Sequence, residues 1–334
     1  LKFFAVQKTI TYFIYVKAIT MYAAVIETWG KCPKYTTFNL PPPKSHEVRI
    51  KVLAAAVHVL VRSRASGKHY SVVGTDPPYI PGTDGVGRTV ETNELVYFST
   101  LQSPTGSFAD YVNIDKANVM LLGYEVDVSL MAAIMNPALS SWMALTTRAG
   151  FTIGAPFSVA IVGATGVSGH TSVQLCKAYG ATEIISIGKP GLRLEKTKKL
   201  GATNVVGLAD DADYTAAANV DLVLDYLWGD IGQVVLSSIL SKRKNKSQRL
   251  TWIHTGALAG DKAPISAAKL RGANLVFMGS GIGSWSFDDL REQLPVLLNT
   301  ILSNEVTMEY AVKKIEDVGS WWDNLDGPRV VVKL

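Results

Sequence analysis

The chain has 334 residues, 48% of them hydrophobic and 18% charged, with a formal net charge of +5. That length suits about two domains and a core that needs no disulfide to hold it. The mild positive charge is no nucleic-acid signature, and two cysteines, Cys32 and Cys176, can build neither a disulfide framework nor a four-cysteine zinc site. Cytoplasmic residence fits this cysteine usage.

In chain order, LKFFAVQKTITYFIYVKAIT comes first. Its apolar run from Ile10 to Val16 is too short to span a bilayer and is flanked by Lys8 and Lys17, so no stable membrane insertion is expected. Residues 1–20 read as an extension ahead of a natural start at Met21, with an amphipathic docking segment as the other reading. From Met21 to about Asn118, YAAVIE, EVRIKVLAAAV, ELVYF and FADYVNI read as strands punctuated by Pro- and Gly-rich turns. Ser129–Gly150 reads as helix, kinked or broken at Pro137, with Asn136 and Ser140 flanking the irregularity.

After Gly154 the pattern becomes regular. VAIV, EIISI, TNVVGL, VDLVLD, LTWIHT and NLVFMG are near-continuous apolar strands, and they alternate with helical segments such as LRLEKTKKL and GQVVLSSIL. That alternation predicts an α/β, doubly wound parallel sheet of about six strands, covered on both faces. The tail adds a helix interrupted at Pro295, a strand in VTMEYAV, a helix in IEDVGSWWDNL and a closing strand in RVVVKL. It is expected to rejoin the β-rich first domain.

The stretch VAIVGATGVSGHTSVQLCKAYGAT carries the chemistry. Gly163, Gly166 and Gly169 sit between a strand and a helix at the first crossover of the sheet, where a tight turn lets backbone amides approach a diphosphate. The amides of Thr165, Gly166, Val167 and Ser168 would face the ligand, aided by the helix dipole. A tight turn with no ligand is the other reading. The next strand ends Ser186-Ile187-Gly188-Lys189, with no acid there to accept from a ribose. Lys189 and Arg193 offer positive charge instead, which favours NADPH over NADH unless both are ordinary surface charges. Tyr226, the pair Thr255 and Gly256, and Ser280 lie after later strands, where each could line the ribose or nicotinamide end or be only a turn.

Taken together, MYAAVIETWG, PYIPGTDGVG, NPALSSWMAL, VGATGVSG, LDYLWG, HTGALAG and GPRVVVKL occur in an order that resembles the zinc-free quinone oxidoreductase branch of the medium-chain dehydrogenase/reductase superfamily. The resemblance implies a GroES-like catalytic domain from residues 21–138 and 284–334, a Rossmann domain from 139–283, and homodimers. It places Asn136 in the cofactor-binding set. Zinc-dependent relatives carry GHE where this chain has Gly82-Thr83-Asp84, and the five histidines show no ligand spacing, so no metal is expected. RSRASGKHYS resembles the family's RSGxY stretch with one extra residue, which makes Tyr70 a catalytic candidate. His58 is a second, at a position where several relatives have asparagine.

The expected reaction is hydride transfer from NADPH to a quinone or conjugated enone in a cleft between the domains, with the proton from water, Tyr70 or His58. Two rivals stand beside it. One is a short-chain-type reductase using Tyr310 and Lys314 as a YxxxK pair, although the alternation there reads as strand. The other is an NADPH-binding protein without activity, of a crystallin-like or adaptor kind. The basic run Lys242-Arg243-Lys244-Asn245-Lys246 lacks interleaved aromatics and reads as a solvated loop rather than a nucleic-acid patch.

Overall fold

A computed structural model describes residues 17–123, 125–209, 211–324 and 327–334. The chain divides into two compact units. One holds the described residues up to Val128 with Val312–Gly327 and Val331–Leu334, and the other holds Ser129–Ala311 and Pro328–Val330.

The first unit is β-rich. Its strands are β1 (Ile19–Val25), β2 (Lys34–Leu40), β3 (Glu47–Ala56), β4 (Asp84–Thr89), β5 (Leu95–Ser99), β6 (Tyr111–Asp115) and β7 (Val119–Leu121), with helix α1 (Val59–Ala65) after β3. β1 and β2 form an antiparallel pair in which Ile19 lies opposite Leu40. Residues 17–20 therefore belong to the fold and are not an appendage, as the sequence reading expected. The buried Arg49 guanidinium fixes them, since its Nη1 donates to the Lys17 carbonyl at 2.6 Å and its Nη2 to the Pro41 carbonyl at 2.6 Å. The rest of the expected extension, residues 1–16, lies outside the described residues.

The second unit is built on helix α2 (Val128–Met143), β8 (Phe157–Val162), α3 (Val167–Tyr179), β9 (Ala181–Gly188), α4 (Leu192–Leu200), β10 (Asn204–Gly207), β11 (Leu222–Asp225), α5 (Gly229–Lys242), β12 (Leu250–His254), α6 (Ala267–Arg271), β13 (Leu275–Gly279) and α7 (Phe287–Ser303). Its six strands run in the order β10-β9-β8-β11-β12-β13, all parallel. The order steps outward from β8 to one side, then restarts at β11 on the other. The reversal between β8 and β11 is the switch point where doubly wound sheets bind ligands. β8 and β11 read as unbroken apolar runs because helices cover both of their faces. On one side Tyr214, Val235, Ile239 and Trp252 fill a core beneath α5.

β14 (Tyr310–Lys314), helix α8 (Val318–Trp321) and β15 (Arg329–Lys333) close the chain, with the order β14-β15-β3-β4-β5-β7 in a second sheet and β6 paired to β3. Tyr310 and Lys314 thus stand on a strand, roughly 13 Å apart at its usual rise, and cannot act as a YxxxK pair.

Three local expectations change. α2 and α7 run unbroken through Pro137 and Pro295. Proline removes one backbone donor, but α7 buries Leu290, Leu294, Leu297, Leu298 and Ile301 along one face, and that burial outweighs one missing bond. α7 also sits with the parallel sheet, so residues 284–311 lie in the second unit rather than with the β-rich one. Trp142 Nε1 on α2 donates to Gln293 Oε1 on α7 at 2.9 Å, and Gln174 on α3 bonds the backbone of Thr307 in both directions. Finally, the basic run is not wholly solvated. Arg243 is 2% exposed, and its guanidinium donates to the carbonyls of Ala218, Val220, Gln248 and Arg249.

Candidate functional site

The glycine turn bridges β8 and α3. Gly163 and Ala164 donate their amides to the Ile187 carbonyl at 2.8 and 2.9 Å, which pins the turn to the end of β9. Gly163 has a φ of +91°, a conformation that favours glycine. A Cβ on Gly169 would lie 2.4 Å from the Gly163 carbonyl oxygen, and one on Gly188 would lie 2.7 Å from Thr165 Cγ2. The fold itself therefore demands those two glycines.

Gly166 differs. Its φ is −76°, and a Cβ there would meet nothing closer than the Gly163 oxygen at 3.4 Å. Packing does not call for glycine at this position, and the bare backbone leaves the turn open to a group approaching from solvent. Gly166 is the N-cap of α3 and supplies no side-chain cap. The amides of Val167, Ser168 and Gly169 thus open the helix without intrahelical acceptors, beside the positive end of its dipole. Free amides beside the positive end of a helix could hold an anion such as a dinucleotide's diphosphate.

Lys189 and Arg193 are both exposed beside that turn. Arg193 Nε donates to the Thr165 carbonyl at 3.0 Å, and His170 Nε2 donates to the Arg193 carbonyl at 2.9 Å. The exposed Arg193 side chain is thereby held against the turn. Burial pushes the His170 pKa down.

At the ends of β11, β12 and β13 the organiser is Asp225, which the sequence reading did not single out. Its carbonyl accepts from Thr255 N at 2.7 Å, Thr255 Oγ1 at 2.9 Å and Gly256 N at 3.2 Å. Its buried carboxylate accepts from the amides of Leu227 and Trp228 and from Trp252 Nε1. Burial is the largest influence on this carboxyl and raises its pKa. Ser280 donates its amide to the His254 carbonyl at 2.8 Å, so the third loop is tied to the second. Asn136 is half-buried on α2, one residue before Pro137.

The Tyr226 phenol turns inward and is nearly fully buried. It lies 2.6 Å from Ser172 Oγ and 2.9 Å from Ser141 Oγ in the core. The backbone and Cβ of Tyr226 border Gly163 and Gly256.

In the first unit, Tyr70 is 65% exposed and stands in a short 3-10 turn that follows α1. The buried Arg64 steadies that turn, with Nη1 donating to Ser71 Oγ at 3.0 Å and Nε to the Tyr79 hydroxyl at 3.1 Å. The His58 side chain is 1% exposed. Its Nε2 meets Asp84 Oδ1 at 3.2 Å and Thr83 Oγ1 at 3.0 Å, while the Tyr97 hydroxyl donates to Asp84 Oδ2 at 2.9 Å. The structure therefore gives Tyr70 access to solvent and seals His58 in a polar cluster. Among the described residues, no group of three or more His, Cys, Asp or Glu side chains could hold a metal ion.

A parallel sheet with a glycine turn at its switch point is an architecture in which open α/β folds bind dinucleotides. No family model matches the chain. A curated relative from Emericella nidulans, "Probable NADPH-dependent quinone reductase tdiC", is 29% identical over 359 residues, covering 93% of this chain and 99% of its own. The quinone oxidoreductase of Pseudomonas syringae pv. tomato DC3000 superposes with a TM-score of 0.78 at 16% identity, over 94% of this chain and all of its own (100%). A mycobacterial protein solved in complex with NADPH superposes with a TM-score of 0.75 at 16% identity, over 94% and 100%. The chain is thus similar over nearly its whole length to a protein named as a probable NADPH-dependent quinone reductase, and it shares its fold with the quinone oxidoreductase structure it superposes on.

Proposed function

We propose that this protein is an NADPH-dependent quinone oxidoreductase, a small-molecule enzyme that works without metal in the cytoplasm as a homodimer. One observation carries the reading: Gly166, which the fold does not require, opens onto unbonded helix amides beside Lys189 and Arg193. The curated relative of nearly equal length bears the same activity in its name.

NADPH, when bound, supplies a hydride to an electron-poor carbon of a quinone or conjugated enone. The chain's own work is binding, orientation and water exclusion. Amides at 167–169 hold the diphosphate, and Gly163 and Gly169 let α3 approach it closely. Lys189 and Arg193 meet the 2′-phosphate, each attraction being worth up to about 4 kcal/mol before solvent screening. Thr255, Gly256 and Ser280, drawn together through Asp225 and His254, form the wall at the nicotinamide end, and Asn136 belongs to the same set. We assign Tyr70 as the phenol that donates to the acceptor's oxygen. His58 is sealed, so we assign it to holding Asp84 and Thr83 rather than to the substrate.

Steady-state oxidation of NADPH against a panel of benzoquinones, naphthoquinones and enones tests the reading. Turnover on at least one acceptor is expected. Tight NADPH binding with no turnover on any acceptor would instead favour the crystallin-like or adaptor alternative.

A further inference from the structure

We propose that Tyr226, acting with Ser141 and Ser172, is the positioning residue that sets the glycine-turn helix for the coenzyme's diphosphate. The inference rests on the coenzyme reading above and adds residues to it that touch no ligand.

Three hydroxyls from three elements converge in the core of the second unit. Ser141 comes from α2, Ser172 from α3, and Tyr226 follows β11. The pairs lie 2.6 Å (Ser141–Ser172), 2.6 Å (Ser172–Tyr226) and 2.9 Å (Ser141–Tyr226) apart. Ser172 also donates to the Ser168 carbonyl in the first turn of α3 at 2.8 Å, and Ser141 reaches the Pro137 carbonyl at 3.3 Å. Both serines are fully buried and Tyr226 nearly so. Each hydroxyl owns one proton, and the three protons serve more contacts than they can fill at once. The triad is a shared network with no fixed donor order.

Its placement gives it a task. The Tyr226 Cβ would lie 3.2 Å from any Cβ on Gly163, and the Tyr226 carbonyl 2.9 Å from any on Gly256. Leu227, the next residue, packs over Gly163 at 3.1 Å by the same measure. One residue therefore borders the turn, borders the nicotinamide-end loop, and bonds the helix whose first amides face the anion. Apolar side chains of equal volume would fill this space, because burying hydroxyls costs free energy unless they are bonded. What hydroxyls add is direction. They fix α3 along its axis relative to α2, and small displacements of its first amides cost affinity for whatever they hold.

The test compares Tyr226→Phe, Ser172→Ala and the double variant with the wild-type chain. Dissociation constants for NADPH and NADH come from fluorescence titration, kcat comes at saturating coenzyme, and melting temperature is read for each apo protein. Each single variant is expected to weaken both coenzymes by about three- to tenfold, the value of one lost hydrogen bond. Their ratio should stay unchanged, with kcat within about twofold. The double variant should bind little worse than the weaker single, because the hydroxyls act as one unit. Should Tyr226→Phe fail to fold, Ser172→Ala still reads the same quantities. Unchanged dissociation constants alongside a lowered melting temperature would overturn the proposal, leaving a purely structural network. Loss of NADPH affinity alone would overturn it too, marking a direct phosphate contact. A wild-type chain that binds neither coenzyme would instead defeat the function reading beneath it.

Discussion

The carboxylate of Asp225 accepts the backbone amide of Trp228 at 3.0 Å, and Trp228 is held at φ +55°, ψ −153°. That region is one glycine occupies almost alone, and a bulky residue there stores about 1–3 kcal/mol. The same carboxylate accepts from Leu227 N at 2.9 Å, so two consecutive amides converge on one buried acid. The indole in return lies tilted against His254 (4.9 Å between centroids) and Phe277 (5.3 Å). Trp228→Gly should release the strain but lose about 1.5–3 kcal/mol of aromatic burial, for a net change near zero. Asp225→Ala strips two amides and an indole of their acceptor, and chemical denaturation should show a loss of about 2–4 kcal/mol.

The glycines of the turn make a sharper pair. Gly169→Ala drives a methyl to within 2.4 Å of a backbone oxygen, so the variant should melt far below wild type or fail to accumulate. Gly166→Ala has room in the protein, with its nearest neighbour at 3.4 Å. It should lose no more than about 1 kcal/mol, the cost of alanine at an N-cap, while binding NADPH about tenfold or more weakly. Calorimetry on the two proteins separates a fold glycine from a ligand glycine.

Coenzyme choice should follow the charge after β9. Lys189→Ala is expected to weaken NADPH by about tenfold, or 1.4 kcal/mol, and to leave NADH within about twofold. The gap should shrink as salt rises, because both Lys189 and Arg193 are exposed.

Acidification should destabilise the fold through its histidines. Burial lowers the pKa of His69, His170 and His254 below the ordinary value of 6.5. In the unfolded chain these rings take up protons as the pH falls through about 6.5, whereas in the fold they resist until lower pH. Their contribution is thus intact above about pH 7 and is lost between there and the depressed folded values. The Nδ1 of His254 is buried with no hydrogen-bond partner among the described residues, so protonation there would be poorly compensated. Denaturation midpoints at pH 8, 7, 6 and 5 should fall, and His254→Asn should flatten part of that slope.

Arg243→Met should cost about 2–4 kcal/mol in chemical denaturation, because four carbonyls lose their shared donor. Arg243→Lys should recover little of this, since a point charge cannot span the same acceptors.

Much of this was legible in the sequence where local signals agree with tertiary need. LRLEKTKKL becomes α4 at Leu192–Leu200, closed by Gly201 at φ +122°. The unbroken apolar runs become parallel strands, and the glycine spacing lands at the switch point. What stayed hidden depends on partners distant in sequence. Arg243 sits among lysines, and its burial is set by loops near residues 218 and 248. Tyr226 stands where a ligand wall was expected, but its phenol is claimed by serines 54 and 85 residues away. Lys17–Thr20 look like the end of an extension, and only the pairing with β2 and the reach of Arg49 draw them into the fold. Pro137 and Pro295 are read locally as breaks, yet packing along the helices outweighs the single donor each removes.

The most direct test of the account is isothermal calorimetry of the purified chain with NADPH and NADH, repeated on Gly166→Ala. One site per chain is expected, with NADPH bound about tenfold or more tightly than NADH, and a marked loss of binding in the variant while its fold loses no more than about 1 kcal/mol. No heat from either coenzyme at millimolar concentration, or equal binding by wild type and variant, would contradict it.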